Sequence, residues 1–161
     1  MEIRTTGFGH PDAEKLSAEV QQEYVRRYGD MDQTSIHPDH FDPPYGLFVV
    51  AYLDGEAAAC GGWRVNEKDE EGLGEGDAEL KRMYVVPTAR GRGLARGVLR
   101  HLEQAALAAG RTRLVLETGN KQPEAIALYT SEGYLPIVKF GYYKDHPDSI
   151  CLGKSLVPAG S

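Results

Sequence analysis

The chain has 161 residues, of which 41% are hydrophobic and 26% charged, with a formal net charge of -6. That length supports one domain around one core, and the balance of apolar and charged residues excludes intrinsic disorder. An acidic chain without a broad basic face also argues against nucleic acid as a partner.

The N-terminal stretch MEIRTTGFGHPDAEK lacks the basic flank and apolar core of a secretory signal. The longest apolar run, Leu47 to Leu53, is too short to cross a bilayer, so no membrane association is expected. Two cysteines, Cys60 and Cys151, sit in unrelated contexts. They suggest neither a disulfide framework nor a metal site, and read as buried free thiols in a reducing cytoplasm.

Glu2 to Thr6 forms a short first strand. Pro11 and Asp12 open a helix with Leu16, Val20, Tyr24 and Tyr28 along one stripe. Gly29 to Pro44 has no sustained period and reads as loop or short helix. The runs LFVVAYL and AAACGGWRV flank Asp54-Gly55, a strong hairpin signal. Glu67 to Asp77 carries six acidic residues and one lysine. It reads as a solvated hairpin loop, with an acidic rim for a cationic substrate as the functional alternative.

Ala78 to Val86 is the next strand, ended by Pro87. Leu94 to Ala109 is a helix stopped by Gly110. Leu114 to Glu117 is a compact strand, and Pro123 to Glu132 a helix with Pro at its start and Gly133 past its end. Leu135 to Phe140 and Ser149 to Leu156 are the last two strands, and Val157 to Ser161 reads as a frayed tail. This order describes one mixed α/β domain over residues 1–156.

The stretch TARGRGLARGVLRHLE places Gly91 and Gly93 between a strand end and a helix start. Such a turn leaves backbone N–H groups unpaired beside the positive end of the helix dipole. The glycines let an anion approach that backbone, and Arg90 and Arg92 add charge. A plain strand-to-helix turn with exposed arginines is the other reading. No G-x-x-x-x-G-K-S/T phosphate loop occurs, and a G-x-G-x-x-G dinucleotide turn is incomplete, because Arg96 stands where its third glycine belongs.

A pattern that does fit is Arg, two residues, Gly, one residue, Ala, met by Arg90, Gly93 and Ala95. With it, ELKRMYVVPTARGRGLARGVLRHLE and LETGNKQPEAIALYTSEGY resemble the two central motifs of the GNAT superfamily of acyl-CoA-dependent N-acetyltransferases. The resemblance implies a single α/β (α+β) domain. Its sheet is mixed and mostly antiparallel, with about seven strands, splayed between the fourth and fifth and flanked by about four helices. It also implies acetyl-CoA as co-substrate, no metal, and transfer of the acetyl group to an amine by direct attack. A non-catalytic acyl-CoA sensor on the same scaffold is the alternative. Homodimerisation stays open.

By the same resemblance the pyrophosphate lies on the backbone from Arg90 through Gly91, Arg92, Gly93 and Leu94 to Ala95. The pantetheine arm pairs with the edge of Met83, Tyr84 and Val85. Either Asn120 or Gln122 supplies an amide to that arm. Glu79 matches a position where family members carry a catalytic glutamate, and Tyr129 matches the general acid that protonates the departing thiolate. Val85 is the expected N–H donor to the acyl oxygen.

Chemistry adds a second candidate, Glu117, as base, as anchor for the amine or only as a cap for Thr118 and Gly119. An alkylammonium of pKa about 10.4 must lose a proton before it attacks a thioester, and a carboxylate can take it. Glu117, after three apolar residues at a strand's C-terminal end, is not expected to be plain core. Ligands gather at such ends. The acceptor side offers aromatics and imidazole, with Tyr28, His37, Trp63, Phe140 and Tyr142 as candidate contacts. This inventory suits a small cationic amine, an amino acid derivative or an aminoglycoside-like compound, with a protein N-terminus or lysine as the other acceptor the sequence leaves open.

Overall fold

A computed structural model describes residues 1–32, 36–65 and 73–157. The first part of the acidic segment, 67–72, and the end of the tail, 158–161, lie outside the described residues.

Strand β1 (Glu2–Thr5) leads into α1 (Pro11–Tyr28), whose first turn is capped by the His10 imidazole accepting from the Asp12 N–H. The hairpin follows as β2 (Gly46–Leu53) and β3 (Glu56–Arg64), around Asp54 and Gly55, both at positive φ. Next come β4 (Asp77–Val85), α2 (Leu94–Ala108), β5 (Arg113–Gly119), α3 (Pro123–Ser131), β6 (Leu135–Pro136) and β7 (Ser149–Ser155). The seven strands form one sheet in the order β1-β2-β3-β4-β5-β7-β6. Only β4 and β5 run parallel.

Three α-helices and two 3-10 turns, Pro38–Phe41 and Pro87–Ala89, are present among the described residues, against about four helices expected. Among its described residues, the segment between α1 and β2 shows the single turn Pro38–Phe41, and Pro43 and Pro44 keep that turn from lengthening. The strand expected over Leu135 to Phe140 is also shorter. After Ile137 donates to the Cys151 carbonyl, the chain leaves the sheet edge and tucks Phe140 under it.

The sheet has a core on each face. On one, Leu94, Val98, Leu99, Leu102 and Ala106 of α2 pack with Ala78, Leu80, Leu114, Leu116 and Trp63, and Tyr129 and Tyr134 extend this layer. On the other, Ala13, Leu16 and Val20 of α1 pack with Phe41, Phe48, Val50, Cys60 and Tyr84. Each fully buried aliphatic side chain contributes about 1.5–3 kcal/mol, so these two layers hold the framework on which the strand ends are displayed.

Candidate active site

Strands β4 and β5 pair over three rungs only, the last joining Glu79 and Val115. Beyond it they part. The cause lies in β4, where a bulge interrupts the ladder with β3: Gly62 faces Lys81 and Cys60 faces Tyr84, so three β4 steps answer two in β3. Arg82 sits at the bulge with φ 61. A non-glycine residue in that region costs about 1–3 kcal/mol and persists only when its surroundings hold it. Here the Cys60 thiol donates to the Arg82 carbonyl (3.2 Å), while the guanidinium donates to Ser17 Oγ (3.2 Å) and Asp32 Oδ2 (2.8 Å). The bulge thus puts Arg82 on the side that Lys81 already faces by alternation, where the Lys81 Nζ donates to the same Asp32 oxygen at 2.9 Å.

A cleft of about 410 Å³ passes through the fork. From the α2 and α3 side it is walled by Met83, Leu116, Ala125 and Tyr129; from the α1 side by Tyr24, Lys81, Arg82, Asp32 and Glu117. Glu117 accepts a hydrogen bond from Ser149 Oγ at 3.1 Å, and burial pushes its carboxyl up to about 7. Tyr129, 6% exposed, has its phenol held well above the usual range by burial, so it keeps its proton throughout the physiological range. The end of α1 closes over the cleft: Tyr28 lies against Gly119, where a Cβ would overlap its hydroxyl, and Gln122 Nε2 donates to Tyr28 Oη at 3.3 Å.

Past β4, Gly91 (φ 81) and Gly93 (φ 80) make the turn into α2, and a Cβ at either position would meet nothing within 4 Å. The first bond of the helix is Gly97 N–H to the Gly93 carbonyl, so the preceding N–H groups form an open cradle. Val86 donates to Ala58 in β3, and by alternation the N–H groups of Met83 and Val85 face the fork. Arg90 lies exposed along the turn, donating to the Val85 carbonyl at 3.0 Å and to Glu23 at 3.1 Å. These residues fit an acyl-CoA: an anion cradle at one end, a free strand edge between, and a carboxylate and a phenol at the other.

The structure thus brings Met83, Val85, Glu117, Gln122, Tyr129, Tyr28 and Tyr142 to one cleft and its edge. Other sequence-predicted residues fall elsewhere. Trp63 is 2% exposed in the α2-side core and does not line the cleft, because its position in β3 faces the helix layer. Phe140, 1% exposed, packs on Val115 and Cys151 beneath the sheet. His37 stacks edge-on against His40 outside the cleft walls. Asn120 is bonded to Asp148 Oδ1 at 3.2 Å and leaves the cleft wall to Gln122. The Tyr84 side chain is in the α1-side core. Glu79 lies below the apex of the fork in a buried pair with Arg64 Nε at 3.1 Å. Sequence reasoning did not single out Lys81, Arg82, Asp32 and Ser149. The available signal was Lys81-Arg82 itself, two adjacent cations inside a strand that otherwise alternates.

A sheet forked between two parallel strands, with an anion cradle on one side and a carboxylate on the other, is the scaffold of an acyl-CoA-dependent acyltransferase. The chain belongs to the Acetyltransferase (GNAT) family, whose profile matches residues 13–134. It is 41% identical over 109 residues to an IAA acetyltransferase of Azospirillum brasilense, spanning 68% of this chain and 67% of that protein. It also resembles the crystal structure of a Klebsiella pneumoniae protein assigned as an acyl-CoA N-acyltransferase, with a TM-score of 0.75, 30% identity and 97% of each chain covered. An aminoglycoside 6'-N-acetyltransferase complexed with coenzyme A shares the fold at a TM-score of 0.72 and 16% identity, over 100% of both chains.

Proposed function

We propose that the protein transfers an acetyl group from acetyl-CoA to a primary amine, with Glu117 as the base and Tyr129 as the acid. One observation carries this reading. Glu117 and Tyr129 stand on opposite faces of the sheet yet line the same cleft through the β4/β5 fork. Acetyl-CoA supplies the thioester whose carbonyl the amine attacks and whose C–S bond breaks. The pyrophosphate rests on the backbone from Gly91 to Ala95, and the pantetheine arm runs along Met83 and Val85 toward Gln122.

Glu117, whose carboxyl titrates near neutrality, takes the proton from the attacking nitrogen at little energetic cost. The Val85 N–H faces the fork and donates to the acyl oxygen as negative charge develops there. Tyr129 donates to the departing sulfur. Its own burial makes it a weak acid, so its contribution is a hydrogen bond held in place rather than a strong driving force. Glu79 remains the competing base, but its salt bridge with Arg64 supports a structural role.

The test is a thermal-shift measurement with acetyl-CoA and CoA, followed by thiol release across a panel of amines. A melting temperature that rises with CoA by the amount mass action predicts, together with amine-dependent thiol, supports the proposal. CoA binding with no thiol from any amine would favour an acyl-CoA sensor instead.

A further inference from the structure

The β4 lip of the cleft gathers two cations on one carboxylate. Lys81 Nζ and Arg82 NH1 both donate to one oxygen, Asp32 Oδ2, at 2.9 and 2.8 Å. The side chains of Lys81, Arg82 and Asp32 are only 11%, 6% and 10% exposed. Two cations on one anion leave this lip positive where solvent screens it poorly, with Glu117 as the carboxylate of the opposite lip. At the effective dielectric of such a wall a charge acts about four times more strongly than in water.

Across the fork stands Glu117. Glu79 and Val115 form the last rung between β4 and β5, and Lys81 and Glu117 are each two residues further along their strands. Both therefore face the α1 side, one on each lip of the opening. Lys81 is also the strongest charge acting on Glu117. The cleft is also lined by Asp30, which is exposed, and by Asp148, which is half-buried and accepts from Asn120. Water weakens their influence on a ligand at the floor.

Resting on the acetyltransferase reading above, we infer that the acceptor is a free α-amino acid, its carboxylate received by Lys81 and Arg82 and its amine by Glu117. A carboxylate joins Asp32, four residues past the end of α1, as a second acceptor for the two β4 cations. It also fixes the nitrogen two bonds away, across the fork from Lys81, where the deprotonating carboxyl stands. Peptide N-termini and amines without a carboxylate leave the β4 cations without that partner. The reaction balances: the N–C bond forms and the C–S bond breaks; of the two protons the ammonium loses, one passes through Glu117 to solvent and the other replaces the proton that Tyr129 gives to the sulfur, which leaves as the thiol.

The experiment uses the full chain with acetyl-CoA and measures thiol release from the common L-amino acids, their α-carboxamides and the corresponding decarboxylated amines. At least one amino acid is expected to exceed its carboxamide in kcat/KM by roughly tenfold or more, as a lost charged contact in a polar site predicts. In Lys81→Met the KM for that amino acid rises by a similar factor, kcat falls less, and the ratio of amino acid to carboxamide collapses toward one. Lys81→Gln repeats the measurement should the methionine variant fold poorly, and the wild-type comparison needs no variant. Equal turnover of amino acids and carboxamides, or a ratio unchanged in both variants, overturns the inference while leaving acetyl transfer standing. Thiol release from no amine at all, with CoA still raising the melting temperature, overturns both.

Discussion

The Ser149 hydroxyl donates to Glu117 Oε2 at 3.1 Å, and this is the polar contact that ties the cleft's carboxylate to β7. Burial raises the Glu117 carboxyl to about 7, and the bond from Ser149 opposes that rise. Replacing Ser149 with Ala therefore moves the acidic limb of the kcat/KM profile to higher pH. The profile of each protein between pH 5 and 9 measures the displacement.

Glu117→Gln should lower kcat/KM by about 10²–10⁴, the usual contribution of a positioned base, and abolish the limb near neutrality. Stability moves oppositely to activity with pH. A carboxyl whose folded pKa is raised stabilises the fold fully below its unfolded value of about 4.3, and that stabilisation is lost as pH rises through about 7. The wild type should thus lose stability between those values relative to Glu117→Gln, as urea denaturation at several pH values will show.

Tyr129→Phe keeps the ring that packs edge-on against Tyr134 at 5.6 Å and removes only the hydroxyl. Melting temperature should change little while kcat falls by roughly one to three orders of magnitude, within the range for a general acid. A thioester with a more acidic leaving thiol should recover part of the loss, since it needs less help in departing.

The expected fate of Glu79→Gln is different. It leaves the Arg64 guanidinium, 7% exposed, without its carboxylate, although His40 Nδ1 remains at 3.1 Å. Removing one charge of a buried ion pair costs up to about 3–5 kcal/mol, less where other contacts hold the remaining charge. Denaturation should therefore show a loss of stability, with turnover of the folded fraction close to wild type. Full stability with lost turnover would move the base from Glu117 to Glu79.

Gly93→Ala tests the anion cradle. A Cβ at φ 80 strains the backbone by about 1–2 kcal/mol, although it meets no neighbouring atom. The apo protein should melt slightly lower, and the added stabilisation by CoA should shrink by more than that cost. Calorimetric titration with CoA gives the affinity directly.

The elements were readable because each has a local cause: Pro11 and Pro123 at helix starts, Asp54-Gly55 in the hairpin, and Gly93 and Gly133 at helix boundaries. The site was only half readable. Glu117 is conspicuous as a charge ending an apolar strand, and Tyr129 and Gly93 follow from family motifs. The roles of Trp63 and Phe140 depend on which face of the sheet they meet. In β4, facing is decided by a bulge that shows in the register against β3 and in the φ of Arg82, not in the local residue pattern. Asp32 and Lys81 meet across 49 residues of sequence, a separation that no local pattern encodes.

The bulge has one more consequence, for how β4 is counted. Before it, even-numbered Ala78 and Leu80 belong to the α2 layer; after it, odd-numbered Met83 and Val85 do, while even-numbered Tyr84 joins the α1 layer. The strand changes phase once, at Arg82. Deleting that residue would leave every apolar side chain of β4 on its present face, so both cores tolerate the shorter strand. What a regular β4 would lose is its reason to part from β5. One residue, surplus to the folding pattern, separates a closed sheet from one with a passage through it.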